Sequence, residues 1–215
     1  MRALTPLEAR VLGVLVEKQH TVPDTYPLSL NALVAGCNQK TARDPVINAT
    51  EAEVLTAVDG LKSLSLVFEG SGSRVVRFEH NMARVYALPA ASVALLTTLL
   101  LRGPQTAAEL RLHCERLHRF ADISSVEGFL DELAAKEPAR VVRLPRAPGA
   151  REARWAQLLC GEVSVDVAAA PPGEGGVSAG EITALKAEQA RLAGEIERLG
   201  RWAQRVAAEL GTEAP

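Results

Sequence analysis

The chain has 215 residues, the length of one large domain or two small ones. Apolar residues make up 47% of the chain and charged residues 23%, so most of it can bury a core, while a net charge of −2 gives no overall attraction to nucleic acid or membrane. The three cysteines are widely spaced without a CxxC motif and no apolar run is long enough to span a bilayer, which argues against a disulfide-rich, secreted or membrane protein and indicates a cytoplasmic one.

The first half of the chain predicts three helices followed by a β-hairpin. Thr5 with Glu8, and Thr50 with Glu53, form capping boxes that mark the starts of the first and third helices. The predicted boundaries are a first helix from 6, a second over about 28–36, a third from 51, and hairpin strands at 66–69 and 74–79 around the turn 70–73. This is the element order of a winged helix.

The same order returns in the second half. Ser124 and Glu127 are predicted to cap its third helix. The other predicted boundaries are helices over about 93–101 and 106–117, and hairpin strands at 140–144 and 152–159. The apolar stripe of the third helix recurs 72 residues later: Val54, Ala57, Val58 and Leu61 become Val126, Phe129, Leu130 and Leu133. We therefore predict a mainly α protein with small β wings (α+β), built from tandem winged-helix domains at 1–82 and 83–160.

The remaining residues predict a flexible linker over 161–178 and an amphipathic, coiled-coil-like helix over 179–211. Its a and d heptad positions include Ile182, Leu185, Leu192, Ile196, Leu199, Val206 and Leu210. We expect these residues to form a homodimer. The alternative is a helix that packs against its own chain.

The predicted third helices do not suit insertion into a major groove. They carry more acidic than basic residues: Glu51, Glu53 and Asp59 beside Lys62 in the first copy, and Glu127, Asp131, Glu132 and Glu137 beside Lys136 in the second. A phosphate backbone repels such a surface.

The predicted wings and one connection are basic instead. The candidates for contact with nucleic acid are Arg140, Arg143, Arg146, Arg151 and Arg154 in the second wing, Arg74 and Arg77 in the first, and Lys40 and Arg43 in the connection. Arginine also suits ion pairs at protein interfaces, so the alternative is that these residues pair with the acidic third helices.

Two other groups of polar residues lie close together in the sequence, as in a ligand-binding or a metal site. In the segment 36–45, Asn38, Gln39 and Asp44 are candidates for holding a ligand or a partner, or for tying the connection to its own domain. The spacing of His113, Cys114 and His118 does not match a four-ligand zinc site, so we expect no metal there. No motif implies a cofactor or a catalytic centre, and we expect a protein that is not an enzyme.

Several segments resemble a known family. They are the opening LTPLEARVLG with EKQ at 17–19, YPLSLNAL at 26–33, GCNQK at 36–40, RDPV at 43–46, LRGPQT at 101–106, ERLH with FAD at 115–122, and RLPR at 143–146. Over about residues 4–159 the chain resembles the bacterial YceH-like family. The resemblance implies two winged-helix domains and no known activity.

Two functional hypotheses follow. The first is a DNA-binding, regulator-like protein that contacts double-stranded DNA mainly through its basic wings. The second is a scaffold that binds an unidentified protein through its winged helices and coiled coil, without reading bases. Winged helices usually bind DNA, which favours the first hypothesis, although a fold by itself does not determine function.

Overall fold

A computed structural model describes residues 1–70 and 75–163 of the chain. Arg74, the predicted turn residues 71–73, the linker from 164 onward and the C-terminal helix with its dimerisation positions lie outside these ranges. Their structures stay predictions.

The described part is mainly helical with two small antiparallel sheets, which confirms the α+β class. The helices are α1 (Pro6–Thr21), α2 (Leu30–Cys37), α3 (Glu51–Ser63), α4 (Met82–Val85), α5 (Ala90–Arg102), α6 (Ala107–His113) and α7 (Ile123–Ala134), with a 3₁₀ turn at Pro23–Thr25. The strands are β1 (Leu28–Ser29), β2 (Val67–Gly70), β3 (Arg77–His80), β4 (Val141–Arg143) and β5 (Trp155–Gln157). No helix in the described part is long and apolar enough to cross a membrane.

Each half contains a hairpin after its third long helix. In the first half β3 is the central strand, with β2 on one side and the short β1 on the other. β1 pairs Leu28 with Phe78, a partner that lies 50 residues away and that the sequence did not predict. In the second half β4 pairs with β5, so that Val142 faces Ala156, and Trp155 of β5 also forms an antiparallel bridge to Gln105.

The capping boxes of α1 and α3 are confirmed. Thr5 Oγ1 accepts from the Glu8 N–H at 3.2 Å, and Glu8 Oε2 accepts from the Thr5 N–H at 2.8 Å. Thr50 and Glu53 make the same reciprocal bonds. These contacts are local in sequence, which is why the sequence alone predicts them.

Two boundaries in the second half were predicted wrongly. α7 begins at Ile123 with Asp122 as its N-cap, because the Asp122 carboxylate accepts from the Ser125 N–H at 2.7 Å. The predicted box of Ser124 and Glu127 does not form. α6 ends at His113 instead of continuing to 117, and the chain turns at Cys114.

Helix α1 lies at the centre of the core. Residues 8–16 are buried without a break, and α1 packs against α2, α3 and α5. Close approach depends on two glycines. A Cβ on Gly13 would lie 2.9 Å from Leu101 Cδ2, and a Cβ on Gly36 would lie 2.6 Å from Val14 Cγ1. The helix therefore brings elements of both halves into one core.

Further contacts join the two halves. The Leu4 N–H donates to the Leu159 carbonyl and the Asp44 N–H donates to the Leu101 carbonyl, each at 2.8 Å. Within the second half, the Arg140 guanidinium lies over the Tyr86 ring, 4.8 Å from its centroid.

Gly36→Ala tests the contact between α1 and α2. We expect the free energy of unfolding to fall by up to about 2 kcal/mol, because overpacking against a stiff valine costs about 1–3 kcal/mol and the helical gain over glycine returns only about 1 kcal/mol. Gly128→Ala is the matched control, since a Cβ there meets nothing within 4 Å. This control should raise the free energy of unfolding by about 0.5–1 kcal/mol. Urea titration measures both variants. Equal effects of the two substitutions would contradict the packing.

His80 is held as a neutral imidazole. Its Nε2 lies 2.7 Å from Gln19 Oε1, and its Nδ1 accepts from the Met82 N–H at 3.3 Å. Burial, followed by the charge of His20, lowers the pKa of His80 to about 4. A proton on Nδ1 would face the Met82 N–H, so the folded state resists protonation.

Stability should therefore fall as pH drops from about 6.5, the usual histidine pKa, to about 4, because the unfolded chain binds the proton and the folded chain does not. Urea unfolding of the wild type and of His80→Gln between pH 7.5 and 4.5 measures this dependence of stability on pH. The variant should be less stable at pH 7.5 but depend less on pH. Parallel curves for the two proteins would show that His80 does not titrate as the structure indicates.

Candidate nucleic-acid interface

Arg43 does not lie on a surface that nucleic acid can reach. Its side chain is fully buried, and Nη2 and Nη1 donate to the two carboxylate oxygens of Glu17 at 2.6 and 3.1 Å. Nε donates to the Gly36 carbonyl at 3.1 Å. The guanidinium closes the end of α2 onto α1, which corrects its sequence-based assignment as a DNA contact.

Other polar side chains of the same connection are also bonded internally. Asn38 exchanges two hydrogen bonds with the Ala49 backbone, at 2.8 and 2.7 Å. Gln39 accepts from Lys18 Nζ at 3.3 Å and donates to the Thr41 carbonyl at 3.1 Å. The Asp44 backbone joins α5 through Leu101. These bonds agree with the alternative that segment 36–45 ties the connection to its own fold.

Near this connection lie two buried arginines, Arg10 and Arg43, and one carboxylate, Glu17, that pairs with Arg43. Burial raises the pKa of Glu17, but the hydrogen bonds and charge of Arg43 outweigh it and hold the pKa below its usual range. Arg10 is also buried and donates to the carbonyls of Cys37 and Pro45 at 3.1 and 2.6 Å. Glu17 is thus the carboxylate on which Arg43 depends.

Three arginines of the β4–β5 hairpin point outward. Arg143, Arg146 and Arg151 are exposed. Within the described residues Arg146 and Arg151 make no hydrogen bond or ion pair, while Arg143 lies over the Trp155 ring, 5.8 Å from its centroid. Together they line a cavity of about 380 Å³, here called the α7 groove. Its other lining residues are Ala107, Ile123, Glu127, Glu152, Ala153 and Trp155.

The other two arginines of this hairpin support the fold. Arg154 donates to the Pro104 carbonyl at 2.7 Å and to Glu109 Oε1 at 3.0 Å. Arg140 is half-buried over Tyr86. Neither guanidinium is as accessible to a phosphate as those of the outward-pointing arginines.

The remaining basic candidates are more scattered. Arg77 donates to the Pro27 carbonyl at 2.7 Å and to the Thr25 carbonyl at 3.2 Å, so it fastens β3 to the segment before β1. Lys40 is exposed on the connection after α2.

The acidic residues of α7 do not neutralise the hairpin. Glu127, Asp131 and Glu132 are exposed, and within the described ranges no ion pair of 4.0 Å or less joins them to an arginine. Glu127 shares the α7 groove with the arginines without pairing to them. The hairpin pairs with the second helix of its half instead, through Arg154 and Glu109.

A second groove occupies the corresponding place in the first half. This α3 groove has a volume of about 670 Å³ and lies between the start of α2, the outer face of α3 and the β2–β3 hairpin. Its lining residues are Ser29, Leu30, Asn31, Glu51, Leu55, Asp59, Lys62, Glu69, Val75, Val76, Arg77 and Phe78.

The two grooves use equivalent helix positions. Glu51 and Leu55 of α3 correspond, 72 residues later, to Ile123 and Glu127 of α7, and all four line their grooves. The sequence did not predict Leu55, Ile123 and Trp155 as lining residues. The internal repeat contained the signal for Leu55 and Ile123, since extending it to the outward positions of the third helix pairs Leu55 with Glu127 and Ile123 with Glu51.

The side chains considered for a metal have other partners. Cys114 is fully buried with Sγ 3.0 Å from Thr98 Oγ1, His113 bonds to Gln105, and the His118 ring packs on Phe120 at 4.7 Å. In the part of the chain described here, no cluster of three or more His, Cys, Asp or Glu is arranged to hold a metal ion.

Comparison with known proteins identifies close relatives without assigning a role. Residues 4–150 match the family described as "Protein of unknown function, DUF480". A "UPF0502 protein" of Paraburkholderia xenovorans is 71% identical over 215 residues, covering 100% of this chain and 91% of that protein. One of Burkholderia multivorans is 68% identical over 216 residues (100% and 92%), and one of Leptothrix cholodnii is 67% identical over 216 residues (98% and 96%). The resemblance to an uncharacterised bacterial family is confirmed.

Glu17→Gln tests the buried ion pair. The change leaves the Arg43 guanidinium buried without a counter-charge, so we expect a loss of about 3–5 kcal/mol in the free energy of unfolding. Glu115→Gln is the control, because it removes the exposed pair with Arg119 at 3.4 Å, which is worth at most about 0.5 kcal/mol. Urea titration measures both, and similar losses would show that Arg43 does not depend on Glu17.

Proposed function

The chain belongs to the DUF480 family of proteins of unknown function, and we propose that it is a non-enzymatic, tandem winged-helix protein that contacts double-stranded DNA through the β4–β5 hairpin. The observation that carries the proposal is the set of exposed arginines on that hairpin, Arg143, Arg146 and Arg151.

The element order supports two winged helices. Three long helices followed by a two-stranded hairpin occur as α1, α2, α3, β2 and β3, and again as α5, α6, α7, β4 and β5. In each half the groove between third helix and hairpin is lined from the same positions of the repeat. In winged helices this is the side on which the third helix and the wing meet DNA.

The hairpin has the chemistry for a phosphate contact. Arginine donates in a planar fork that matches phosphate oxygens, and a guanidinium held on a hairpin tip also fits a narrow minor groove. Because Arg146 and Arg151 have no ion pair in the described part of the chain, binding DNA breaks no interaction already made there. The expected contact is with the backbone and carries little sequence preference.

The third helices do not share in this contact. Glu127 lies within the α7 groove and Asp131 one turn further along the helix, so a duplex pressed against α7 would bring phosphates to carboxylates. α3 presents Glu51 and Asp59 in the same way. We therefore assign contact to the hairpin and not to base reading by a helix.

A second function is favoured by a separate observation. Leu55 and Val76 are 41% and 48% exposed in the α3 groove, where a protein partner would bury apolar surface. A scaffold that binds proteins through this face is the alternative function.

Fluorescence anisotropy of a labelled random-sequence duplex, titrated at several salt concentrations, tests the DNA proposal. Three phosphate contacts predict a slope of log K against log salt of about −3, and Arg146→Ala with Arg151→Ala should reduce its magnitude by about 2. Arg84→Ala with Arg116→Ala removes the same charge from two other exposed arginines and should leave the slope nearly unchanged.

Absence of binding at low salt would overturn the proposal. So would equal slopes for the two double variants, because the contact would then be general attraction to positive charge.

A further inference from the structure

The α3 groove combines apolar surface with an acidic rim. Its exposed apolar residues include Leu55 and Val76, and its carboxylates are Glu51, Asp59 and Glu69. Such a surface suits a segment that presents apolar groups and positive charge together.

The two cations of the groove do not cancel its acidity. Lys62 is shared between Glu69 at 2.6 Å and Asp59 at 3.6 Å. Arg77 is held by the backbone carbonyls before β1. Glu51 has no ion pair within the described residues, and among the described lining residues three carboxylates against two cations give a net negative charge.

This chain carries a segment with the complementary chemistry. The tip of the β4–β5 hairpin, residues 145–151, reads PRAPGAR, so that Arg146 and Arg151 bracket small apolar residues, and every residue of it is exposed. Proline and alanine lose little side-chain entropy when a surface covers them. The tip therefore offers apolar contact at low conformational cost, together with two positive charges.

The tip and the groove do not meet within one chain. No residue of the β4–β5 hairpin lines the α3 groove, and no ion pair in the described ranges joins them. We propose that the hairpin tip of one copy docks in the α3 groove of a second copy, with Arg146 and Arg151 facing Glu51 and the acidic rim.

A two-fold dimer satisfies this contact twice, because each copy carries one tip and one groove and a self-complementary interface repeats each contact. The ion pairs would lie at a partly apolar surface, where arginine is favoured over lysine. The assembly goes beyond the proposed function and does not depend on it: the same arginines would face either a duplex or a second copy, so the two uses exclude each other at one hairpin.

Cysteine cross-linking between two populations of full-length chain tests the contact. All proteins carry Cys160→Ser, because the other native thiols, Cys37 and Cys114, are fully buried. One population carries Leu55→Cys in the groove and the other Ala147→Cys at the tip. The control replaces the first with Ala52→Cys, an exposed position of α3 that does not line the groove.

We expect disulfide-linked dimer in the Leu55→Cys and Ala147→Cys mixture at a yield at least about tenfold above the control mixture. Adding Arg146→Glu and Arg151→Glu to the Ala147→Cys chain should reduce the yield to the control level, and Glu51→Arg in its partner should restore part of it. Circular dichroism checks that each variant is folded.

Equal yields in the test and control mixtures would overturn the proposal, as would a yield unaffected by the arginine changes. No DNA is present, so this experiment and the duplex titration can fail independently.

Discussion

The burial of α1 on all sides determines the arrangement of the described residues. A helix buried from residue 8 to residue 16 is ordinarily apolar, yet this stretch contains Glu8 and Arg10. Both make hydrogen bonds at fixed places, while the buried Arg10 Nε has no partner among the described residues. Arg2 and the Thr5 N–H bind Glu8, and the carbonyls of Cys37 and Pro45 bind Arg10. The polar groups thus set which side of α1 each neighbour occupies, and Gly13 and Gly36 permit the close approach.

This arrangement divides the arginines into two kinds. Arginines of the first kind donate to backbone carbonyls that a loop or strand end leaves without other partners near the core. Arg43, Arg77 and Arg154 donate in this way to the carbonyls of Gly36, Pro27 and Pro104, respectively. Burying a carbonyl without a donor is costly, so such an arginine contributes to stability. On the β4–β5 hairpin, Arg143, Arg146 and Arg151 are exposed and donate to no carbonyl within the described residues.

The repeat produces two grooves of similar construction and opposite character. At equivalent positions of the third helices the first half has Glu51 and Leu55, and the second has Ile123 and Glu127. The hairpins differ further, since one groove is lined by three hairpin arginines and the other by two hairpin valines and a single arginine, Arg77. The inward positions of the repeat are constrained by packing, whereas the outward positions are free to diverge. A single fold thereby displays one arginine-lined surface and one acidic, partly apolar surface.

Sequence alone determined the features that depend on neighbours within a few residues. The capping boxes of α1 and α3, the apolar stripes that repeat after 72 residues and the two hairpins follow from local hydrogen bonding and periodicity. Tertiary structure decided what depends on distant partners. Leu28 becomes a strand because Phe78 lies beside it, Arg43 is buried because Glu17 faces it from α1, and Arg154 is held by Glu109 across 45 residues. The sequence does not show whether a charged side chain faces water or a buried carboxylate. Only the folded structure therefore distinguishes the arginines that stabilise the protein from those that are exposed and available to bind.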